Sequence, residues 1–464
     1  MSSAKPAISL MAAILLSACS LTPDYVRPPL PIAAAYPAAP TGEAPGSASA
    51  IVWREFFPDP GLQALIAAAL DNNRDLRTAA LRIEEARALY GIQAADLLPS
   101  LNAGISGNRV RTPASLSLSG KEAITSNYQV GLSLAAFELD YLGRVRSLKD
   151  AALNLYLASD EARQAAQIAL VGEVAKAALA ERALAEQQDL AQKSLSGRED
   201  AYKLAQQRFD VGASSALDLR LNETLLQAAR ISLLALTRQR AQAANGLTLL
   251  TGKPRTELPE LQGLAAQRIL AELPPGLPSE LLTRRPDIRA AELKLLAANA
   301  NIGAARAAFF PRITLTAGVG AASNTLTGLF NAGAGTWSFA PQLLLPIFDA
   351  GRNRANQSLA EVRKNLAIVD YEKVIQTAFR EVADALVARA SLDTQLEAQS
   401  ALLAAQAERL RLVDLRYQNG IASFIEVLDA QRELFAQEQA LVQVRLLRLT
   451  NAIDLYRALG GGLV

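Results

Sequence analysis

"NYQVGLSLAAFELD", residues 127–140, alternates by twos: Val130, Leu132, Leu134 and Ala136 fall on one side of an extended chain, with Gln129, Gly131, Ser133 and Ala135 on the other. "RITLTAGVGAAS", residues 312–323, repeats the pattern through Ile313, Leu315, Ala317 and Val319, and "TWSFAPQLLLPIFD", residues 336–349, continues it with Trp337, Phe339 and Leu343. "LNAGISGNRV", residues 101–110, supplies the remaining strand of two hairpins, whose loops are "TPASLSLSGKEAITS" and "NTLTGLFNAGAG". An apolar face opposite a small, polar one is the pattern of a transmembrane β-strand. It also fits two amphipathic hairpins laid on a soluble core. In a membrane, two hairpins cannot close a barrel alone, because single-chain barrels have at least about eight strands and an open edge in lipid leaves backbone groups unpaired. Several chains would then have to share one barrel.

Long helices follow both hairpins. The chain has 21 prolines, yet none between Ala114 and Lys253 or after Pro346, and proline breaks a helix interior by steric clash and loss of a donor. No glycine occurs from Arg352 to Asn419, a window that would be about 100 Å long as one helix. Leu359, Val362, Leu366 and Val369, then Ile375, Phe379, Val382 and Leu386, recur at alternating threes and fours, the seam that packs helix on helix. The window from Arg144 to Val211 matches it, interrupted only by Gly172 and Gly197.

Both windows end in one recurring turn. "QRFDVGASSALDLRLNE", residues 207–223, aligns without a gap on "LRYQNGIASFIEVLDAQ", residues 415–431. Gly212 and Gly420 are placed to take a positive φ as helix C-caps, and the following serine starts the return helix. The copies differ: Tyr417, Asp429 and Arg432 stand where the first has Phe209, Leu221 and Thr224. Helices "DPGLQALIAAALDNNRDLRTAALRIEEARALYGIQAADLLPSL" and "PDIRAAELKLLAANANIGAARAAFFPRI" precede the two hairpins. The chain therefore reads as two repeats, 56–254 and 279–464, joined by a proline-rich linker, 255–278.

The N-terminus "MSSAKPAISLMAAILLSACS" has Lys5, an apolar run from Ala7 to Leu16 and small residues up to Cys19, the layout of an export signal over 1–18 and too short to span a bilayer. Residues 19–55, rich in proline and alanine, read as an extended tether. Lysines and arginines, 47, nearly balance acids, 45, so no basic field points to nucleic acid. Histidine is absent and Cys19 is the only cysteine, which excludes disulfides within the chain, Cys/His zinc sites and His- or thiol-based nucleophile pairs. "GLTLLTGKP" from Gly246 has one residue too many for a phosphate loop, a proline after its lysine and no preceding strand, and reads as a helix end with a capping glycine. No cofactor, metal or enzymatic activity is expected.

"LSAC" (16–19), "PDY" (23–25), "ALDNNRDLRTAALRIEEAR", "FELDYLGRVR", "RRPDIRAAE" (284–292), "AAFFPRITLTA" (307–317), "IFDAGR" (347–352) and the terminal "ALGGG" occur in the order found in TolC-like outer-membrane factors. The chain resembles the NodT-type lipoproteins of multidrug efflux systems over nearly its whole length. That resemblance implies an α+β membrane protein: a trimer whose twelve strands, four per chain, form an outer-membrane barrel continuing into a periplasmic α-helical barrel. It implies acylation of Cys19 in outer-membrane lipid, docking to a periplasmic adaptor, and passive export for an inner-membrane pump. By motif match, Ile425 and Asp429 would form closing rings at the periplasmic tip, with Arg432 as an ion-pair partner and Arg416 and Tyr417 linking neighbouring hairpins. Three aspartates around one axis repel, so arginines, counter-ions or partial protonation must offset them. Both turns, Gly212, Ala213 and Ser214 with Gly420, Ile421 and Ala422, would receive the adaptor, the small Gly212, Ala213, Gly420 and Ala422 permitting close approach of another helix. A periplasmic coiled-coil scaffold lipoprotein without a pore is the competing reading, and it leaves the alternating strands without a purpose.

Overall fold

The computed structural model describes residues 20–33, 35–36, 51–117, 120–269, 273 and 280–463. Cys19 and the export signal lie outside the described residues, as do parts of the tether and linker. The elements are α1 (Pro60–Asn72), α2 (Arg74–Ala95), β1 (Leu101–Thr112), β2 (Ala123–Glu138), α3 (Arg144–Asp210), α4 (Ala216–Thr251), α5 (Pro286–Ala307), β3 (Arg312–Ser323), β4 (Gly335–Leu344), α6 (Arg352–Gln418) and α7 (Phe424–Ala458). Helix α1 starts where such chains should: Pro60 fills a position needing no donor, and the Asp59 carboxylate accepts from the Gly61 amide at 2.7 Å. Among the described residues no helix is long and apolar enough to cross a membrane.

By residue contacts the chain divides into two compact units, each drawing on both repeats. Of the described residues, the first comprises those within 20–29, 82–159 and 290–371, and it holds the sheet. Its strands are antiparallel in the order β1-β2-β3-β4, so β1 and β4 are free edges. Cross-strand partners share a face. One face carries rows such as Ile105–Val130–Ala321 and Leu132–Val319–Trp337; the other carries Asn102–Ser133–Gly318–Ser338 and Gly104–Gly131–Gly320–Thr336. A Cβ on Gly320 would collide with the Val130 carbonyl, which explains glycine at the centre of this polar row. The expected phase of β2 breaks in one place. Pairing jumps from Leu134–Ala317 to Phe137–Leu315 through a bulge at which Ala136 has φ +47°, so Phe137, not Ala136, continues the apolar face.

Within the tether, residues 20–33 and 35–36 form no helix or strand, and several of them are docked. Thr22 and Ser147 hydroxyls lie 3.0 Å apart, Asn299 donates to the Pro23 carbonyl at 2.7 Å, and Tyr25 donates to Glu292 at 3.0 Å. Arg27 grips the same carboxylate with two donors, at 2.7 and 2.8 Å. Burial, reinforced by Glu292, pushes the Tyr25 phenol well above its ordinary range. Two sequence motifs far apart in the chain, "PDY" and "RRPDIRAAE", thus meet.

The second unit, the described residues within 30–81, 160–289 and 372–463, brings the segment around Phe56 against the end of α7. Phe56 stacks on Tyr456 at 4.0 Å, Phe57 meets Phe56 edge-on at 4.7 Å, and all three are buried. Each such side chain contributes about 1.5–3 kcal/mol when fully buried. The Tyr456 hydroxyl donates to the Ile51 carbonyl at 2.6 Å. Buried Arg285 bonds Asp287 at 2.6 Å, Glu381 at 2.8 Å and the Ala458 carbonyl at 3.1 Å. Burial opposes its charge, yet these two carboxylates outweigh it and hold the guanidinium above its ordinary value. The linker is tied by side chains: Asp59 accepts from the Gln262 amide at 3.1 Å and Glu186 from the Leu264 amide at 2.8 Å.

Candidate functional site: the paired helical turns

The two turns fold identically at the backbone. Gly212 and Gly420 both have φ +72°. In the first, the Gly212 amide donates to the Phe209 carbonyl at 2.9 Å and the Ala213 amide to the Arg208 carbonyl at 2.7 Å; in the second, Gly420 donates to Tyr417 at 2.9 Å and Ile421 to Arg416 at 2.8 Å. Both are Schellman motifs, which satisfy the carbonyls that a helix end leaves open. Each return helix then starts with a capping box, Ser215 with Asp218 and Ser423 with Glu426. The amide and hydroxyl of Ser423, helped by the Arg416 charge, hold the Glu426 carboxyl below its ordinary range.

Their side chains diverge. Asp429 pairs with Arg432 at 2.7 Å, one turn along α7, and has Arg409 of α6 at 3.9 Å. Arg432 also reaches Glu433 at 3.3 Å. The pair is half-exposed, 46% and 65%, a setting in which such pairs contribute only about 0–1 kcal/mol to stability. Ile425 is exposed at 65%. Tyr417 packs its ring 5.4 Å from Phe424, and its hydroxyl lies 3.4 Å from a guanidinium nitrogen of Arg208, the first-repeat counterpart of Arg416. Within one chain, then, Tyr417 links the two turns, a role Phe209 lacks the hydroxyl to reciprocate.

Of the expected site residues, Asp429 and Arg432 are in contact, and Ile425 is exposed one turn before Asp429 on the same face of α7. Arg416 contributes its carbonyl, which accepts from both Ile421 and Ala422. Gly212, Ala213, Gly420 and Ile421 are exposed and Ala422 is half-buried. Ser214 is also half-buried, and its hydroxyl is shielded from water with no hydrogen-bond partner among the described residues. Sequence reasoning missed Arg208, Arg409 and Phe424. Arg409 had a usable signal: folding α6 against α7 about Gly420 sets it opposite the Asp429–Arg432 turn. A shallow groove, lined by Ala405, Leu412, Leu415 and Ile421 and flanked by Arg409 and Arg416, runs up to the second turn. Among the described residues no group of three or more His, Cys, Asp or Glu is placed to hold a metal ion.

The solvent efflux pump outer membrane protein SrpC of Pseudomonas putida is 47% identical, with 98% of each chain covered. Outer membrane protein OprJ of Pseudomonas aeruginosa is 47% identical over 99% of this chain and 96% of its own. The open-state crystal structure of the MtrE outer membrane channel of Neisseria gonorrhoeae superposes with a TM-score of 0.87 at 43% identity, covering 96% of this chain and 99% of that one. A family model described as "Outer membrane efflux protein" matches twice, over residues 65–253 and 277–461, once per repeat. With its α+β fold and near-complete alignment to these relatives, the chain belongs to the outer membrane efflux protein family.

Proposed function

We infer that the protein is the passive outer-membrane exit channel of a tripartite efflux system. It works as a homotrimer, receives small molecules from an inner-membrane pump through a periplasmic adaptor, and is anchored in outer-membrane lipid through Cys19. The strands lie in the outer membrane and the helical hairpins in the periplasm.

The observation that carries this reading is the sheet. Its strands run 12, 16, 12 and 10 residues, against the roughly 9–11 that a tilted membrane strand needs. One face is apolar throughout its middle rows and the other small and polar, as for a lipid-facing and a lumen-facing side. Both edges are free, and lipid does not tolerate free edges. Three copies pairing β4 to β1 make a closed ring of twelve strands. The names of the relatives support the same conclusion. A scaffold without a pore would have no use for the exposed apolar face that Ile105, Leu132, Val319, Trp337 and Phe339 form.

The second turn is the gate. Asp429, Arg432 and Ile425 narrow the aperture, while Tyr417 and Arg416 hold the hairpins together when it is shut. The residues of both turns, Gly212, Ala213 and Ser214 with Gly420, Ile421 and Ala422, receive an adaptor's helical tip, the glycines and alanines letting it approach closely. The test is ion current: detergent-extracted oligomer added to a planar lipid bilayer produces discrete conductance steps. An intact, heat-resistant oligomer that never conducts overturns the channel reading.

A further inference from the structure

From the Ser106–Gln129–Ala322 row to the Thr316–Ala340 row, the polar face of the sheet carries no ionisable side chain. Along that stretch, the face presents only hydroxyls, amides, alanine methyls and glycine backbone. The first charges appear at the end where α3 and α6 begin. Glu138 lies opposite Thr314, and Arg312, two residues further along β3, is on that same face.

These charges do not cancel. Arg144 clamps Glu138 with two donors, both at 2.7 Å, and Arg312 adds a second guanidinium at 3.4 Å. Two arginines thus share one carboxylate. Of the neighbouring acids, Asp140 accepts from the Val145 and Arg146 amides and pairs with the Arg146 side chain, Asp349 accepts from the Gly351 and Asn353 amides, and the charge of Asp96 acts on Arg144. Asp140 and Asp349 are helix caps, so the N-termini of α3 and α6 are already satisfied and form no site of their own. What remains is Arg312, whose only ion-pair partner among the described residues is a carboxylate already held, with 49% of its side chain open. It borders a cavity of about 210 Å³ that Tyr141, Phe310 and Leu344 also line. A cavity of about 150 Å³ suffices for benzene.

We propose that Arg312, supported by Arg144, forms a resting site for organic anions, of the size and chemistry of an aromatic carboxylate, on the polar face of the sheet. The ring lies against Phe310 and Tyr141 while the guanidinium takes the carboxylate. The site gives the conduit a second point of charge discrimination, separate from the second turn. This inference rests on the channel reading.

The test uses the full-length oligomer in a planar bilayer under a gradient of sodium benzoate. The reversal potential gives the benzoate-to-sodium permeability ratio. Arg312→Gln lowers that ratio by about threefold and Arg312→Lys largely preserves it, because the effect is one of local charge. If Arg312→Gln assembles no oligomer, Thr314→Glu, which leaves the arginine in place and adds a negative charge opposite Glu138, lowers the ratio instead. A ratio unchanged in Arg312→Gln, or in Thr314→Glu where that variant stands in, overturns the site. Absence of any current from intact wild-type oligomer overturns the channel reading beneath it, which is a different failure from an unchanged ratio.

Discussion

The first and second turns share a backbone to within one hydrogen-bond pattern and differ in what that backbone displays. Both stop a 67-residue helix with a glycine at φ +72° and restart the chain with a serine cap. Yet Leu221 and Thr224 occupy the places of Asp429 and Arg432. Backbone and display are thus separate: both turns keep the glycine and the serine cap, whereas the Asp429–Arg432 pair belongs to the second turn and the first return helix carries a different pair, Arg220–Glu223, one aligned position earlier. On the function proposed above, only the second copy opens and shuts.

If the turns are equivalent supports, damage to either backbone must cost the same. Gly212→Val and Gly420→Val force a β-branched residue into the left-handed region, and each hairpin loses about 1–2 kcal/mol. Thermal unfolding of the two variants checks this, and unequal losses break the equivalence. Removing a cap is milder: Ser215→Ala and Ser423→Ala each cost about 1 kcal/mol, read from hydrogen exchange in the first turns of α4 and α7.

Acid affects the second cap. The Glu426 carboxyl sits below its ordinary value, so its contribution to stability is fully present above the unfolded glutamate's pKa and is lost as pH falls through the lowered folded value. Exchange over residues 421–428, corrected for its intrinsic pH dependence, stays slow at pH 6 and speeds up below about pH 4. Insensitivity to acid there would remove Glu426 from the cap. The smallest expected effect is at Tyr417. Tyr417→Phe loses one exposed contact to Arg208, a few tenths of a kcal/mol, and Phe209→Tyr changes nothing measurable. Equal changes in both would mean that the copies are interchangeable.

Local chemistry was readable in the sequence because it depends on neighbours in the chain. The glycine of each turn, the serine that restarts each helix and the left-handed Gly252 at the end of "GLTLLTG" followed from residue type, and β3 spans the stretch quoted for it. β2 starts earlier than its pattern shows: Ile124 pairs with Arg111, and the nearby Arg111–Glu122 ion pair at 2.7 Å lies where composition reads as loop. The bulge at Ala136 was hidden because "SLAAFE" is consistent with unbroken alternation, and only pairing with β3 shows the phase change. Contacts made by remote segments were out of reach. Nothing local to Arg27 announces Glu292, and nothing around Asp429 announces Arg409 until the hairpin is closed.

The most direct measurement compares single-channel conductance in planar bilayers for three forms: wild type, Asp429→Ala with Arg432→Ala, and Leu221→Ala with Thr224→Ala. The account predicts small discrete steps in wild type, larger steps when the second turn loses its charges, and wild-type steps when the first turn is altered. Conductance that rises equally in both double variants, or in neither, would contradict the claim that one copy of the turn is the gate.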